Sequence, residues 1–232
     1  MSEPNDPRPW LALVGPTCSG KTWFAGELLR RFPLELVNLD SFQIYSHFRV
    51  GTGRADLAFE PAHLYGFVDP HETLTPVRYA ELARRTVAEM ADRGGRPLFE
   101  GGSLSYLREL LRVHPLRLIG IRPAAEAESE DLVSTRLASY SFDALMDEIR
   151  QGLELGYRGT QVLSDEVVYL PMVDYLDGRV DLPETVERMR RNLIERQRTQ
   201  MREYADFDVQ WFPSSRDSLP ALVRAVEEVL GE

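Results

Sequence analysis

The sequence has a single cysteine, Cys18, among its 232 residues, which rules out an intrachain disulfide and points to a reducing compartment. It has no apolar run near the roughly 20 residues that a helix needs to cross a bilayer, so no membrane partner is expected. The segment from Met1 to Arg8 is polar and carries prolines, without the charged and apolar regions of a secretory signal. A cytoplasmic location is therefore the expectation. Positive charge is scarce as well: 37 Asp and Glu stand against 27 Lys and Arg, a formal net charge of −10. A body of that charge repels polyanions, which makes nucleic acid, tRNA included, an unlikely main partner but leaves room for a local basic cleft.

The scarcest basic residue is lysine. Lys21 is the only one, and every other basic residue is arginine. GC-rich coding turns Lys into Arg wherever either serves, so one position has resisted the drift. A compact ammonium on a flexible stem is not replaceable by a planar fork where it must reach between phosphate oxygens.

What is present fits one globular domain. With 43% hydrophobic residues over this length a sizeable core is possible. Residues 1–9 read as a flexible tail and residues 10–232 as a single domain. Residues 11–14 form a short apolar run, read as a buried strand, followed by a loop over 15–20 and a helix over 21–31 that ends at Phe32-Pro33. Further strands are expected over 34–39, 97–100, 116–121 and 208–212. Helices are expected over 76–92, with Pro76 in its first turn, and over 104–112, 183–204 and 218–230, with helical stretches between 132 and 155. The acidic segment 124–131 reads as a solvated loop or a helix start. Strands alternating with helices of this length predict an α/β fold, a P-loop NTPase-like parallel sheet with flanking helices and a C-terminal helical portion.

Gly15-Pro16-Thr17-Cys18-Ser19-Gly20-Lys21-Thr22 satisfies G-x-x-x-x-G-K-[ST] between an apolar strand and a helix, which is the context the motif requires. Its glycines let backbone N–H groups converge on phosphate oxygens, and the helix N-terminus adds about half a positive charge. Lys21 suits the terminal phosphate oxygens and the Thr22 hydroxyl suits Mg²⁺. Ligands of open α/β sheets sit beyond the carboxyl ends of the strands. There, Asp40 is placed to take a proton from a nucleophile, and Glu100 to hold a metal-bound water. Thr52 and Arg54, in the Gly51-Thr52-Gly53-Arg54 loop, are candidates for an anionic acceptor. Cys18 reads as a small packing residue rather than a nucleophile. Physics alone leaves two readings open: a small-molecule kinase with Asp40 as base, or a transferase that uses the same cradle for a departing diphosphate.

The motifs taken together resemble the isopentenyltransferase family, which moves a dimethylallyl group from its diphosphate onto the N6 amine of adenine. The P-loop resembles the family's GPT-x-[ST]-GKT, and Asp40-Ser41-Phe42-Gln43-Ile44-Tyr45 its DS-x-Q-x-Y segment. Gly51-Thr52-Gly53-Arg54 resembles the GTG/GSGR loop, and Glu100-Gly101-Gly102-Ser103 the EGGS/GGT turn. Tyr175-Leu176-Asp177-Gly178 resembles YL-x-G, and Glu195-Arg196-Gln197-Arg198-Thr199 the KRQ-x-T helix. The family's tRNA-modifying members carry a helical insertion before the C-terminal helix that grips the anticodon stem-loop. Residues 121–196 are short for it, and the tryptophan that follows KRQ-x-T in those members is Gln200 here. The GPTC start and the EGGS turn are shared with compact members that act on adenylate in cytokinin synthesis. The resemblance therefore implies AMP, or ADP or ATP, as acceptor and dimethylallyl diphosphate as donor, with tRNA, through a reduced insertion, as the alternative acceptor.

By the same resemblance Asp40 is the general base, and Gly15, Thr17, Cys18, Ser19, Gly20, Lys21, Thr22 and Arg136 hold the donor diphosphate, with Thr17 and Lys21 also catalytic. Asp40, Ser41, Thr52 and Arg54 face the acceptor. Ile194, Arg196 and Gln197 line the prenyl end, where an apolar Ile194 favours a plain dimethylallyl group over its hydroxylated relative. Thr22 binds Mg²⁺, and a monomer is implied. Val168-Tyr169-Leu170-Pro171 departs from the family's GYKE-like element, which puts acceptor contacts there in question.

Lys21→Ala and Asp40→Ala are each expected to raise the barrier of the transferase reaction by about 3–6 kcal/mol. Lys21→Arg is expected to fail too. Steady-state kinetics checks all three, and near wild-type turnover in any of them rejects the role given to that side chain.

Overall fold

The computed structural model describes residues 8–54 and 59–231; of the expected tail, residues 1–7 lie outside the described part. Six strands make one parallel sheet: β1 (Trp10–Val14), β2 (Leu34–Asn38), β3 (Ala62–His63), β4 (Arg96–Gly101), β5 (Leu116–Arg122) and β6 (Val209–Pro213). Their order across the sheet is β3-β2-β4-β1-β5-β6. β1 is thus central, and the chain crosses from it to one side for β2 and later to the other side for β5. That reversal of direction is where α/β sheets open a crevice at the strands' carboxyl ends.

β1 shows why the sheet is covered on both faces. All five of its residues are buried, and successive side chains point to opposite sides. Leu11 and Leu13 pack with Leu36, Leu98 and Ile119 against Phe24, Ala25 and Leu28 of α1 (Lys21–Leu29) and against Leu222 and Val226 of α8 (Leu219–Leu230). Trp10, Ala12 and Val14 join the larger core on the other face. That core includes Tyr79 and Ala83 of α2 (Pro76–Ala91) and Leu107 of α3 (Leu104–Val113).

Between β5 and β6 lie four helices: α4 (Glu126–Ala138), α5 (Phe142–Glu154), α6 (Tyr169–Leu176) and α7 (Leu182–Glu203). The acidic segment is the start of α4, where Glu126 and Glu128 favour the positive helix end. The helical stretch between 132 and 155 is broken after Ala138. The Ser139 hydroxyl donates to the Arg136 carbonyl, and the Ser141 hydroxyl accepts from Ala144 N at 3.3 Å to start α5. α6 carries Pro171 within its first turn, where no intrahelical N–H is lost. α7 is the longest helix; the Asp181 side chain accepts from Glu184 N at its start, with Pro183 in the first turn. Among the described residues no helix is long and apolar enough to cross a membrane.

Gly15 ends β1 with φ +146°, and a Cβ built there meets the Ile121 carbonyl oxygen at 2.2 Å. Gly15→Ala is therefore expected to lower stability by about 2 kcal/mol or more. Urea unfolding measures it; a loss of under about 0.5 kcal/mol would contradict this packing constraint.

Candidate active site

The P-loop lies over the carboxyl end of β1, and three other segments close on it. Asp40 follows β2, Glu100 and Gly101 end β4, and α7 passes over the loop from the C-terminal half. Gly20, at φ +81°, turns the chain into α1. Lys21 is 8% exposed, and its Nζ donates to the Pro16 carbonyl at 2.7 Å, so the ammonium is curled into its own loop. Thr22 Oγ1 donates to Glu100 Oε1 at 3.3 Å.

The electrostatics are those of a buried charge cluster. Burial pushes the Lys21 ammonium below its ordinary range, while Glu100 and Asp40 draw it back up. Burial pushes the Glu100 carboxyl up, Lys21 opposes this, and Asp40 adds to it. The Cys18 thiol is also raised by burial, which keeps it protonated and fits a packing residue.

Asp40 is held by a rigid support. Asn38 is fully buried, accepts from Asp40 N at 2.9 Å, and donates to the Asp40 and Leu64 carbonyls at 2.9 and 3.0 Å. The Tyr79 hydroxyl fixes the Asn38 carbonyl at 2.6 Å. Asp40 Oδ1 accepts from Phe42 N at 2.8 Å and Gln43 N at 3.3 Å, so this oxygen caps the following turn and Oδ2 is the one left for chemistry.

Two hollows meet at Asp40. One, of about 370 Å³, lies over the P-loop and is lined by residues 17–22 with Glu100 and Arg136. The other, of about 360 Å³, is lined by Ser41, Phe42, Tyr140, Tyr169, Leu193 and Arg196 among others. Thr17, Asp40, Thr52, Gly102, Arg136 and Gln200 line both. The structure therefore brings residues 17–22, Asp40, Ser41, Thr52, Arg136 and Arg196 onto one composite cleft.

Four expected residues lie elsewhere, the first being Gly15, which lines neither hollow and donates its N–H to the Tyr204 hydroxyl at 3.1 Å. Arg54 packs over Gly66, with Nη2 donating to the Phe48 carbonyl at 3.5 Å, and lines neither hollow. A glycine at 66 leaves room for the guanidinium, and this draws it away from the cleft. Ile194 and Gln197 project from the other side of α7, into a third cavity beside Pro16. On a helix the residues one turn-quarter away, Leu193 and Arg196, take the cleft face instead. Neither residue lines the P-loop hollow or the Asp40 hollow.

Other residues of the site were not singled out from the sequence. The Glu148 carboxylate accepts from Val50 N at 2.7 Å, Gly51 N at 3.1 Å and the Tyr169 hydroxyl at 2.8 Å, and it also contacts Arg49 N. It thereby fixes the loop that carries Thr52. Tyr140 donates to the Gly51 carbonyl at 3.2 Å and lies under Arg136, whose guanidinium carbon is 4.7 Å from the ring centroid. A glycine-rich loop at 51–53 is the one sequence signal for this support.

The donor set fits a hard divalent cation. Thr22 Oγ1 and the Glu100 carboxylate are adjacent, Asp40 lines the same hollow, and Mg²⁺ takes oxygen ligands from a few such groups together with phosphate. Among the described residues no cluster of three or more His, Cys, Asp or Glu forms a cage that would hold a metal without phosphate.

A P-loop over a parallel sheet, with a second hollow meeting it at Asp40, defines the class: an α/β protein of P-loop NTPase-like architecture with a two-chambered cleft. Residues 43–132 match the model of the IPP transferase family. A tRNA dimethylallyltransferase of Nitrosospira multiformis is 34% identical over 144 residues, which take in 61% of this chain and 43% of that protein, so the chain spans under half the length of that relative. A tRNA dimethylallyltransferase of Petrotoga mobilis is 25% identical over 300 residues, with 96% of this chain and 98% of that protein covered. The crystal structure of a tRNA isopentenylpyrophosphate transferase from Bacillus halodurans matches with TM-score 0.84 at 22% identity over 97% of each chain, which shows the shared fold.

These relatives overturn two expectations. A free adenine nucleotide as acceptor, with the cytokinin role attached to it, does not stand, because the proteins that the chain resembles are named for tRNA. For the same reason tRNA is not the unlikely partner that the net charge suggested. Net charge sums the whole surface and does not describe one hollow: around Asp40, Arg108, Arg136 and Arg196 stand against Asp40, Asp165 and Glu203. Gln200 was a poor guide to the acceptor as well, since it serves the P-loop: Thr17 N donates to its Oε1 at 2.8 Å.

Glu100 yields a pH prediction. Because its folded value lies above the ordinary one near 4.5, the folded protein keeps a proton that the unfolded chain has lost in that window. Its contribution is fully present below the unfolded value and is lost as pH rises through the folded one. Glu100→Gln is therefore expected to gain stability relative to wild type as pH rises above about 4.5, measured by urea unfolding. Parallel pH profiles for the two proteins would contradict it.

Proposed function

We propose that the protein transfers a dimethylallyl group from dimethylallyl diphosphate to the N6 amine of an adenosine in tRNA, releasing diphosphate. The observation that carries this reading is Asp40 on the shared wall of the two hollows, one built for phosphate and the other open to a nucleophile. The names of the relatives support tRNA as the source of that nucleophile. The alignment with the Petrotoga mobilis relative covers 300 positions against 232 residues here, leaving at least 68 positions without a counterpart. This supports the view that RNA is gripped with a reduced helical insertion. A kinase reading loses ground, because nothing in the second hollow favours a phosphoryl acceptor over an amine.

In the proposed reaction the diphosphate lies in the P-loop nest, and Lys21 exchanges the Pro16 carbonyl for a phosphate oxygen. The allylic C–O bond breaks and its electron pair leaves with the diphosphate. The amine lone pair forms the new C–N bond, and the N6 proton passes to Asp40 Oδ2. Backbone N–H groups, Lys21 and Arg136 face the charge that develops on the leaving group, which is stabilisation of the transition state over the ground state. The adenine and prenyl carbons rest against apolar side chains of the second hollow, Phe42, Leu104 and Leu193 among them. Thr22 and Glu100 would hold Mg²⁺, which when bound would add to the neutralisation of the diphosphate. Holding donor and amine in adjoining chambers gives the proximity advantage.

Mass spectrometry of an anticodon stem-loop RNA and of AMP, each incubated with protein, dimethylallyl diphosphate and Mg²⁺, tests the reading. A dimethylallyl mass gain on the RNA adenosine is expected, and it should disappear with Asp40→Asn. Modification of AMP alone, or phosphate transfer from ATP with no donor consumed, would reject it.

A further inference from the structure

α7 holds the P-loop through one residue. Gln197 Nε2 donates to the Thr17 carbonyl at 2.8 Å, and Gln200 Oε1 accepts from Thr17 N at 2.8 Å. Gln200 Nε2 donates in turn to the Gly102 carbonyl at 3.2 Å. Gly102 leaves only just enough room: a Cβ there would stand 3.0 Å from Gln200 Nε2 and 3.2 Å from the Gly15 carbonyl. One turn further along, the Tyr204 hydroxyl accepts from Gly15 N at 3.1 Å.

The spacing is what makes the grip possible. Residues three apart on a helix are neighbours on its surface, so the two amides reach the two ends of one short stretch of backbone. Gln197 is 2% exposed; its Nε2 is bonded to Thr17, while its buried Oε1 has no hydrogen-bond partner among the described residues, so the bond to Thr17 is what holds the amide. A glutamine offers both a donor and an acceptor, which lets one side chain type satisfy a carbonyl at one position and an N–H at the next. With both backbone groups of Thr17 bound from above, its peptide planes cannot rotate. The N–H groups of the residues that follow, 18–21, then keep their direction towards the nest.

We propose that Gln197 and Gln200 are positioning residues, a paired clamp on Thr17 that sets the shape of the diphosphate nest from α7. The proposal rests on the reading of the P-loop as a diphosphate site. It gives Gln197 a role in the donor half of the site through the backbone, without contact to the prenyl group. Gln200 lines both hollows, so it also ties the nest to the turn after β4 that walls the acceptor side.

The test uses Gln197→Met and Gln200→Met, which keep length and volume while removing the amide. Binding of inorganic diphosphate with Mg²⁺ is measured by calorimetry, alongside melting temperature. Each variant is expected to bind diphosphate about five- to tenfold more weakly, the size of a lost buried hydrogen bond or two. In the transferase assay the donor KM rises with it, while Gln197→Met leaves the KM for RNA unchanged, since Gln197 is absent from the acceptor hollow. Unchanged diphosphate affinity in the folded variants, whatever their melting temperatures, overturns the clamp. The two variants are read separately, so a failure of one to fold leaves the other to decide. A wild-type protein that does not bind diphosphate overturns the phosphate-site reading, and the clamp falls with it.

Discussion

A backbone turn that aims several N–H groups at one point is electrostatically strained until an anion arrives, and something must hold it in that shape. The rest of this structure depends on that constraint. Here the holding is done with hydrogen bonds from outside the loop and with close packing beneath it. Gly15 passes too near the Ile121 carbonyl for any side chain, Tyr204 takes the Gly15 N–H, and Lys21 places its ammonium on the Pro16 carbonyl. The charge that would meet the proposed diphosphate is thus held inside the loop, partly balanced by Glu100 and Asp40.

From that nest the remaining geometry follows outward along the sheet. Parallel strands end together, so the turn after β2 brings Asp40 and the end of β4 brings Glu100 to the same edge as the P-loop. Asn38, fully buried and bonded on both sides of residue 40, turns a loop carboxylate into a fixed one. The second hollow is completed by residues from α3, α4, α6 and α7, so helices from both halves of the chain wall it. A general base on the boundary of the two chambers can serve both a leaving group and a nucleophile, which is what alkyl transfer from a diphosphate requires.

Much of this was legible in the sequence because strong local signals carry it. The P-loop pattern and the lone lysine marked the nest, the apolar runs marked five of the six strands, and Asp40 stood out at a strand end. The two-residue β3 is too short to leave a periodic signal, and the break before α5 depends on serine side chains that compete with helical hydrogen bonds. α6 begins with Tyr169-Leu170-Pro171, which reads as an interruption until tertiary packing is known. Arg54 shows a different limit. Its neighbours in sequence placed it on an anion-binding loop, but the space beside Gly66 drew its guanidinium away. The supports of the site, Glu148, Gln200 and Tyr204, come from positions far along the chain, and spacing alone does not reveal which loop they meet. The acceptor was misread for a related reason, since a formal charge of −10 averages over the whole surface, while the Asp40 hollow sets three arginines against three carboxylates.

The central claim is that diphosphate and nucleophile meet across Asp40. A crystal structure with Mg²⁺ and a non-reactive thio analogue of dimethylallyl diphosphate tests it most directly. The account predicts diphosphate oxygens on the N–H groups of residues 18–22 and on Lys21 Nζ, with the allylic carbon directed past Thr17 towards Asp40 and the second hollow. An analogue seated outside the P-loop, or one whose allylic carbon points away from Asp40, would contradict it.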